Sequence, residues 1–285
     1  MTSTVTAPAL TTLTLDDGMR LAYRELGSGP PVLLLHGWPT SSYLWRGVMP
    51  AIARHSCVIA LDLPGFGGSD KPLDVRYDFD LYARVLDGFL DRLEMDPVDL
   101  AVHDISGPIA VHWALRNPGR VRRLALLNTL LYPELHPEVV EFATALARPE
   151  TRDDLVSPAG LARIMRLGCA EEARLSDEAI AAVQRPYADP AARLALARAG
   201  FNLNPRGFAE IADRLPALDV PVRIIYGERD RVLPDVAETM ARVRRDLPGA
   251  EVTTLPDCGH FIQEEAPDRV GELLAEFFAA GRVAL

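Results

Sequence analysis

Short, largely apolar runs separated by helix-length stretches constrain this chain more than any other feature of its sequence. They are Val32–Leu35, Cys57–Leu61, Leu100–Val102, Val121–Leu127, Val222–Tyr226 and Val252–Leu255. A strand without regular polar alternation is buried on both faces, and helices between such strands supply the cover. The pattern therefore predicts a mostly parallel α/β sheet flanked by helices. Leu81–Leu93 and Gly107–Asn117 carry helical spacing, the second stopping at Asn117-Pro118-Gly119, and Arg269–Ala279 reads as the last helix. Nearer the start, Thr11–Leu15 and Arg20–Leu26 flank Asp16-Asp17-Gly18, a hairpin signal.

The middle of the chain breaks this rhythm. From about Leu130 to Ala217 there is no strand pattern, only Ala-, Arg- and Leu-rich helical stretches punctuated by Pro133, Pro137, Pro149, Pro158, Pro186, Pro190 and Pro205. The economical reading is an insertion between neighbouring strands. Residues 1–130 and 217–285 then form the α/β core, and residues 131–216 form a helical cap over the sheet's carboxyl edge. Open α/β sheets bind their ligands at that edge. A length of 285 residues suits one large domain of this kind.

Charge narrows the partners. Thirty Lys and Arg against forty Asp and Glu give a formal charge of −10, which provides no electrostatic footprint for nucleic acid or an anionic membrane. No apolar run approaches the roughly 18 residues of a membrane span. The N-terminal MTSTVTAPALTTLTL has no apolar h-region and no basic residue precedes Arg20, so no secretory signal is expected. Cys57, Cys169 and Cys258 are too few and too scattered for a disulfide framework or a zinc cluster, which points to a reduced, cytoplasmic protein. No metal-ligand spacing is present, and neither metal nor cofactor is expected. The expected partners are a small apolar or moderately polar organic substrate and water.

The chemistry concentrates at strand ends. In Ala101-Val102-His103-Asp104-Ile105-Ser106-Gly107 a strand runs into a helix, and Asp104 falls on the sharp turn between them. Such a turn demands small residues just behind the nucleophile, and Ser106 and Gly107 meet that demand for Asp104. Taking Ser106 as nucleophile would put Asp104 and Pro108 in the small positions. A carboxylate nucleophile attacks an sp³ carbon bearing a leaving group and forms an ester that water then hydrolyses. Alone, Asp104 reads equally well as a helix cap. It is accompanied, however, by Asp230 beyond one strand and His260 in the loop after the last strand. In that order the three suit a nucleophile, an acid that orients histidine, and a general base. Leu35-His36-Gly37-Trp38-Pro39 follows the first core strand, where backbone N–H groups form an oxyanion hole, which assigns its donors to Trp38 and Ile105. His103 reads as a packed histidine on the far side of the strand. His112 shows no partner in the sequence, and the cap arginines read as a solvated face.

With these residues in hand, the chain resembles the α/β-hydrolase superfamily over nearly its full length, and within it the haloalkane dehalogenases and epoxide hydrolases. His36–Arg46 (HGWPTSSYLWR), Asp62–Pro72 (DLPGFGGSDKP), His103-Asp104 and Gly259–Glu264 (GHFIQE) carry the resemblance. It implies an α/β-hydrolase fold with an inserted helical cap and a cofactor-independent hydrolase. There are departures. Dehalogenases of this kind carry a halide-binding Trp after the nucleophile, where this chain has Ile105, and often Asn where it has Trp38. The Trp38 indole is then the one remaining halide donor. Epoxide hydrolases protonate the ring oxygen from cap tyrosines. The cap offers Tyr132 and Tyr187, with His136 as a further donor, while Phe201 stands where the second tyrosine commonly sits. Relatives with Asp-Ile after the histidine include epoxide hydrolases. The expectation is therefore an epoxide hydrolase, with a haloalkane dehalogenase as the alternative. An esterase or lactonase of the same fold, using Ser106 or direct water attack, is the second alternative, and a non-catalytic binding protein is a third.

Overall fold

The computed structural model describes residues 6–280. The extreme N-terminus, read above as carrying no secretory signal, and the outer ends of the two expected core segments lie outside the described residues.

Eight strands form one sheet: β1 (Leu10–Thr14), β2 (Arg20–Leu26), β3 (Pro31–Leu35), β4 (Cys57–Asp62), β5 (Val98–His103), β6 (Val121–Leu127), β7 (Val222–Gly227) and β8 (Glu251–Leu255), in the order β1-β2-β4-β3-β5-β6-β7-β8. The hairpin strands pair antiparallel, Thr14 opposite Arg20, and β2 runs antiparallel to β4. Every later pairing is parallel. All six residues of β5 are buried, as a strand covered on both faces requires. This is the α/β-hydrolase fold.

The helices are α1 (Met49–Ile52), α2 (Phe79–Arg92), α3 (Ser106–Arg116), α4 (Pro137–Ala147), α5 (Pro149–Leu155), α6 (Pro158–Gly168), α7 (Asp177–Gln184), α8 (Pro190–Phe201), α9 (Pro205–Arg214), α10 (Val236–Asp246), α11 (Ile262–Glu265) and α12 (Pro267–Ala279). Five prolines that interrupt the pattern between β6 and β7 turn out to open helices: Pro137, Pro149, Pro158, Pro190 and Pro205 are the first residues of α4, α5, α6, α8 and α9. Proline is suited there because the first-turn N–H has no intrahelical partner to lose. The preceding Ser157, Asp189 and Asn204 each accept a first-turn amide on their side chain.

These helices do not all sit above the sheet. α9 packs along α3 on the sheet's flank and completes the crossover from β6 to β7. Its Phe208 meets Phe79 at 5.6 Å between ring centroids, and Phe79 in turn stacks on His112 at 4.6 Å. His112, without a visible partner in the sequence, is buried with Nε2 3.5 Å from Glu210 of α9. That partner is supplied by the returning helix, which sequence proximity cannot reveal.

Candidate active site

The turn between β5 and α3 puts Asp104 in the left-handed region, at φ 54°. A non-glycine residue stays there only when its surroundings hold it. The Asp104 amide donates to Asn128 O at 3.1 Å, and its carbonyl accepts from Gly107 N at 2.9 Å and Thr129 Oγ1 at 2.6 Å. Two glycines make room. A Cβ on Gly37 would lie 2.3 Å from the Asp104 Cβ, and one on Gly107 would lie 1.8 Å from Thr129 Oγ1.

Held this way, the two carboxylate oxygens of Asp104 differ. Oδ2 accepts the Trp38 backbone N–H at 2.8 Å, and the Ile105 amide also donates to this carboxylate. Oδ1 faces His260 Nε2 at 4.0 Å. His260 Nδ1 donates to Asp230 Oδ2 at 2.9 Å, which leaves the Nε2 lone pair directed at Asp104 in the neutral ring. Among the described residues Nε2 makes no hydrogen bond. Asp230 is fixed by the amides of Val232 and Leu233, both 2.8 Å from Oδ1.

Burial pushes the Asp104 carboxyl above its ordinary value, although His260 and the two amides pull it back. Burial draws His260 downward, but the charge and hydrogen bond of Asp230, with Asp104, outweigh it and leave the imidazole raised. Beneath it lies His103, wholly buried, with Nε2 3.0 Å from the His260 carbonyl oxygen. Desolvation first, and the neighbouring His260 next, hold His103 well below the usual histidine range.

Asn128 is one residue that sequence reasoning missed. Its Nδ2 donates to Asp230 Oδ2 at 2.8 Å and to Gly259 O at 3.2 Å, while Oδ1 accepts Gly227 N at 3.1 Å. One buried amide thus joins the ends of β6 and β7 to the His260 loop. The available signal was its position, a polar residue immediately after an apolar strand.

Asp104 lies at the floor of a cavity of about 450 Å³. Phe142, Leu155, Ile164, Phe201, Leu203, Phe208, Leu233 and Phe261 form apolar walls, and the exposed Glu138, Arg163 and Arg231 supply its other charged groups. Phe201 therefore lines the site, as does Trp38. The Trp38 indole N–H, however, donates to Leu196 O at 3.0 Å and is already engaged. Neither cap tyrosine is brought to Asp104. The Tyr132 hydroxyl donates to Asp246 at 2.7 Å, and Tyr187 is buried beside Lys71; neither lines the cavity. His136 caps α4, its Nδ1 accepting Glu138 N at 3.3 Å. Ser106 Oγ is wholly buried against main chain, 2.9 Å from Leu35 O and 2.7 Å from His103 O, and also accepts His103 N. Among the described residues no cluster of three or more His, Cys, Asp or Glu is disposed to hold a metal ion, and no helix is long and apolar enough to cross a membrane.

The alpha/beta hydrolase fold family matches residues 30–267. A haloalkane dehalogenase of Agrobacterium fabrum (strain C58 / ATCC 33970) is 30% identical over 269 residues, which cover 90% of this chain and 88% of that protein. The crystal structure of haloalkane dehalogenase DbeA from Bradyrhizobium elkani USDA94 superposes with a TM-score of 0.83 at 29% identity, covering 95% of this chain and 97% of that one. The epoxide hydrolase CorEH superposes with a TM-score of 0.82 at 26% identity, covering 96% and 99%. The chain belongs to the α/β-hydrolase fold family, in the group that holds the haloalkane dehalogenases and epoxide hydrolases, and is an enzyme of that class.

Proposed function

We propose that this enzyme hydrolyses haloalkanes through a covalent alkyl ester on Asp104. The carrying observation is the asymmetry of that carboxylate: Oδ2 rests on the Trp38 amide at 2.8 Å, while Oδ1 stands 4.0 Å from a histidine nitrogen that makes no hydrogen bond among the described residues. Oδ1 attacks the carbon bearing the halogen from the rear; the C–O bond forms, the C–X bond breaks, and the halide departs with its electron pair. A water entering between Asp104 and His260 then gives a proton to Nε2 and attacks the ester carbon. The oxyanion develops on Oδ2, which the Trp38 amide already meets, with the Ile105 amide bonded to the same carboxyl group. Asp230 stabilises the imidazolium, which returns its proton to the departing alkoxide. The balance is haloalkane plus water to alcohol, halide and a proton, with no cofactor.

The leaving group decides between substrates. An opened epoxide leaves as an alkoxide and needs an acid, yet the hydroxyls of Tyr132 and Tyr187 lie outside the cavity lining. A halide leaves as a stable anion and needs none. The relatives named as dehalogenases support the same choice. With the Trp38 indole engaged by Leu196, the anion meets largely apolar walls that include Phe142, Phe201, Phe208 and Phe261. Soft bromide and iodide suit such walls better than chloride. An ester reaction through Ser106 has less support, because that hydroxyl is committed to the main chain.

Intact-mass measurement of His260→Gln after incubation with bromoalkanes and epoxides tests the reading. A gain equal to the bromoalkane minus HBr, trapped on Asp104, is expected. A gain equal to a whole epoxide, with none from the bromoalkanes, would replace the halide reading with ring opening. No adduct from either would remove Asp104 as nucleophile.

A further inference from the structure

The loop between β8 and α11 that carries His260 is braced from two directions. On one side stand Asp230 and Asn128. On the other, Glu265, the last residue of α11, turns its buried carboxylate back onto the loop. Glu265 Oε2 accepts Gly259 N at 2.6 Å, one peptide from the imidazole. Oε1 reaches across to the segment after α6, accepting Ala170 N at 2.8 Å and Glu171 N at 3.3 Å. The two stretches of chain touch directly beside these bonds. His260 N donates to Gly168 O at 2.6 Å, and a Cβ on Gly259 would stand 2.4 Å from that same oxygen. Among the described residues no cation lies within ion-pairing distance of Glu265. Arg174, its nearest positive influence, is bonded instead to Glu171 at 3.1 Å and Asp257 O at 3.0 Å.

A buried carboxylate facing three amides and no partner cation is costly to keep for stability alone, since a neutral acceptor would satisfy amides with less desolvation. We propose that Glu265 is a positioning residue for the second chemical step, its carboxylate fixing His260 relative to Asp104 by clamping the loop to the helical segment between β6 and β7. The inference rests on the reading of His260 as the base. Attack by Asp104 needs no proton transfer, so the first step is indifferent to Glu265. Ester hydrolysis depends on where Nε2 holds its water, and small misplacements of such a group cost on the order of a hundredfold.

Four proteins separate the possibilities: wild type, Glu265→Gln, Glu265→Asp and His260→Gln, each given a bromoalkane in single turnover and followed by intact mass. Glu265→Gln is expected to form the ester within about twofold of the wild-type rate and to hydrolyse it at least about tenfold more slowly. The acid limb of its hydrolysis profile moves to lower pH, because the Glu265 charge acts with that of Asp230 to keep His260 protonated while Asp104 is esterified. Glu265→Asp keeps the charge but withdraws the carboxylate by one methylene. Its hydrolysis is slow as well, while its acid limb stays near that of wild type. Wild-type hydrolysis in Glu265→Gln, or equal loss of both steps per folded molecule, overturns the proposal. If Glu265→Gln does not fold, the ratio of the two steps in Glu265→Asp decides by the same criterion. A His260→Gln protein that accumulates no ester strikes at the base assignment itself, whatever the Glu265 variants do.

Discussion

The Trp38 indole N–H and the Leu196 carbonyl, 3.0 Å apart, tie the loop after β3 to α8 across the upper edge of the sheet. The same ring packs edge-on against Phe142 at 5.0 Å between centroids. Trp38→Phe keeps an aromatic ring and the amide that serves Asp104 and loses this bond together with part of the buried ring's volume. A drop of about 1–3 kcal/mol in stability is expected, with the order of reactivity among chloro-, bromo- and iodoalkanes unchanged. A selective collapse of chloroalkane turnover would mean that the indole leaves Leu196 to hold the halide.

The two steps should fail at different pH. The base must be neutral, so ester hydrolysis is lost as pH falls through the His260 titration, which Asp230 and Glu265 still raise once esterification has removed the Asp104 charge. Attack needs ionised Asp104, whose carboxyl is raised from 3.8, so that step fails further into the acid range. Between the two limits the alkyl-enzyme accumulates. Rapid acid quench and mass measurement across the range checks this; hydrolysis that stays level down to pH 5 would be incompatible with His260 as base.

Removing Asn128 tests the other brace. Asn128→Ala leaves the Gly227 amide and Gly259 carbonyl without their side-chain partner and places alanine at φ 34°. A loss of about 2–4 kcal/mol in stability follows from the unpaired groups and the left-handed backbone. Ester hydrolysis slows more than ester formation. Denaturant unfolding and single-turnover kinetics read the two effects separately, and an unchanged hydrolysis rate would show that Asp230 orients His260 unaided.

Ser106→Ala addresses the competing nucleophile. The hydroxyl bonds Leu35 O and His103 O and receives His103 N, so its loss should cost about 1–3 kcal/mol of stability. Turnover per folded molecule should persist, and a fluorophosphonate should fail to label the wild type. Labelling at Ser106, with loss of activity, would restore the esterase reading.

The sheet was legible because its strands advertise burial locally: Val98–His103 has no exposed position, and its run of Leu, Ala and Val says so. The meeting of Asp104, Asp230 and His260 was legible because each lies at or in the loop just beyond the carboxyl end of a strand, so strand order predicts where they gather. Asn128 and Glu265 were not, since each acts through main-chain amides or carbonyls, which every residue owns and no sequence pattern marks. Tyr132 and Tyr187 show the opposite difficulty. Residue type suggested a proton donor, but direction depends on how the helices pack, and Asp246, from a helix after β7, holds the Tyr132 hydroxyl.

The path of α9 carries a consequence for how such an enzyme diversifies. The chain rises from the sheet at Leu127 and comes back beside the cavity at Leu203, before α9 descends along α3 to begin β7. Departure and return therefore share one rim, and the stretch between them is a cassette with both feet planted together. Its length, helix count and lining residues can change without altering strand order, provided the main-chain groups of Leu196, Gly168 and Ala170 that hold Trp38, His260 and Glu265 are kept. Novel specificities then arise by replacing the roof of the chamber while the reacting groups keep their places.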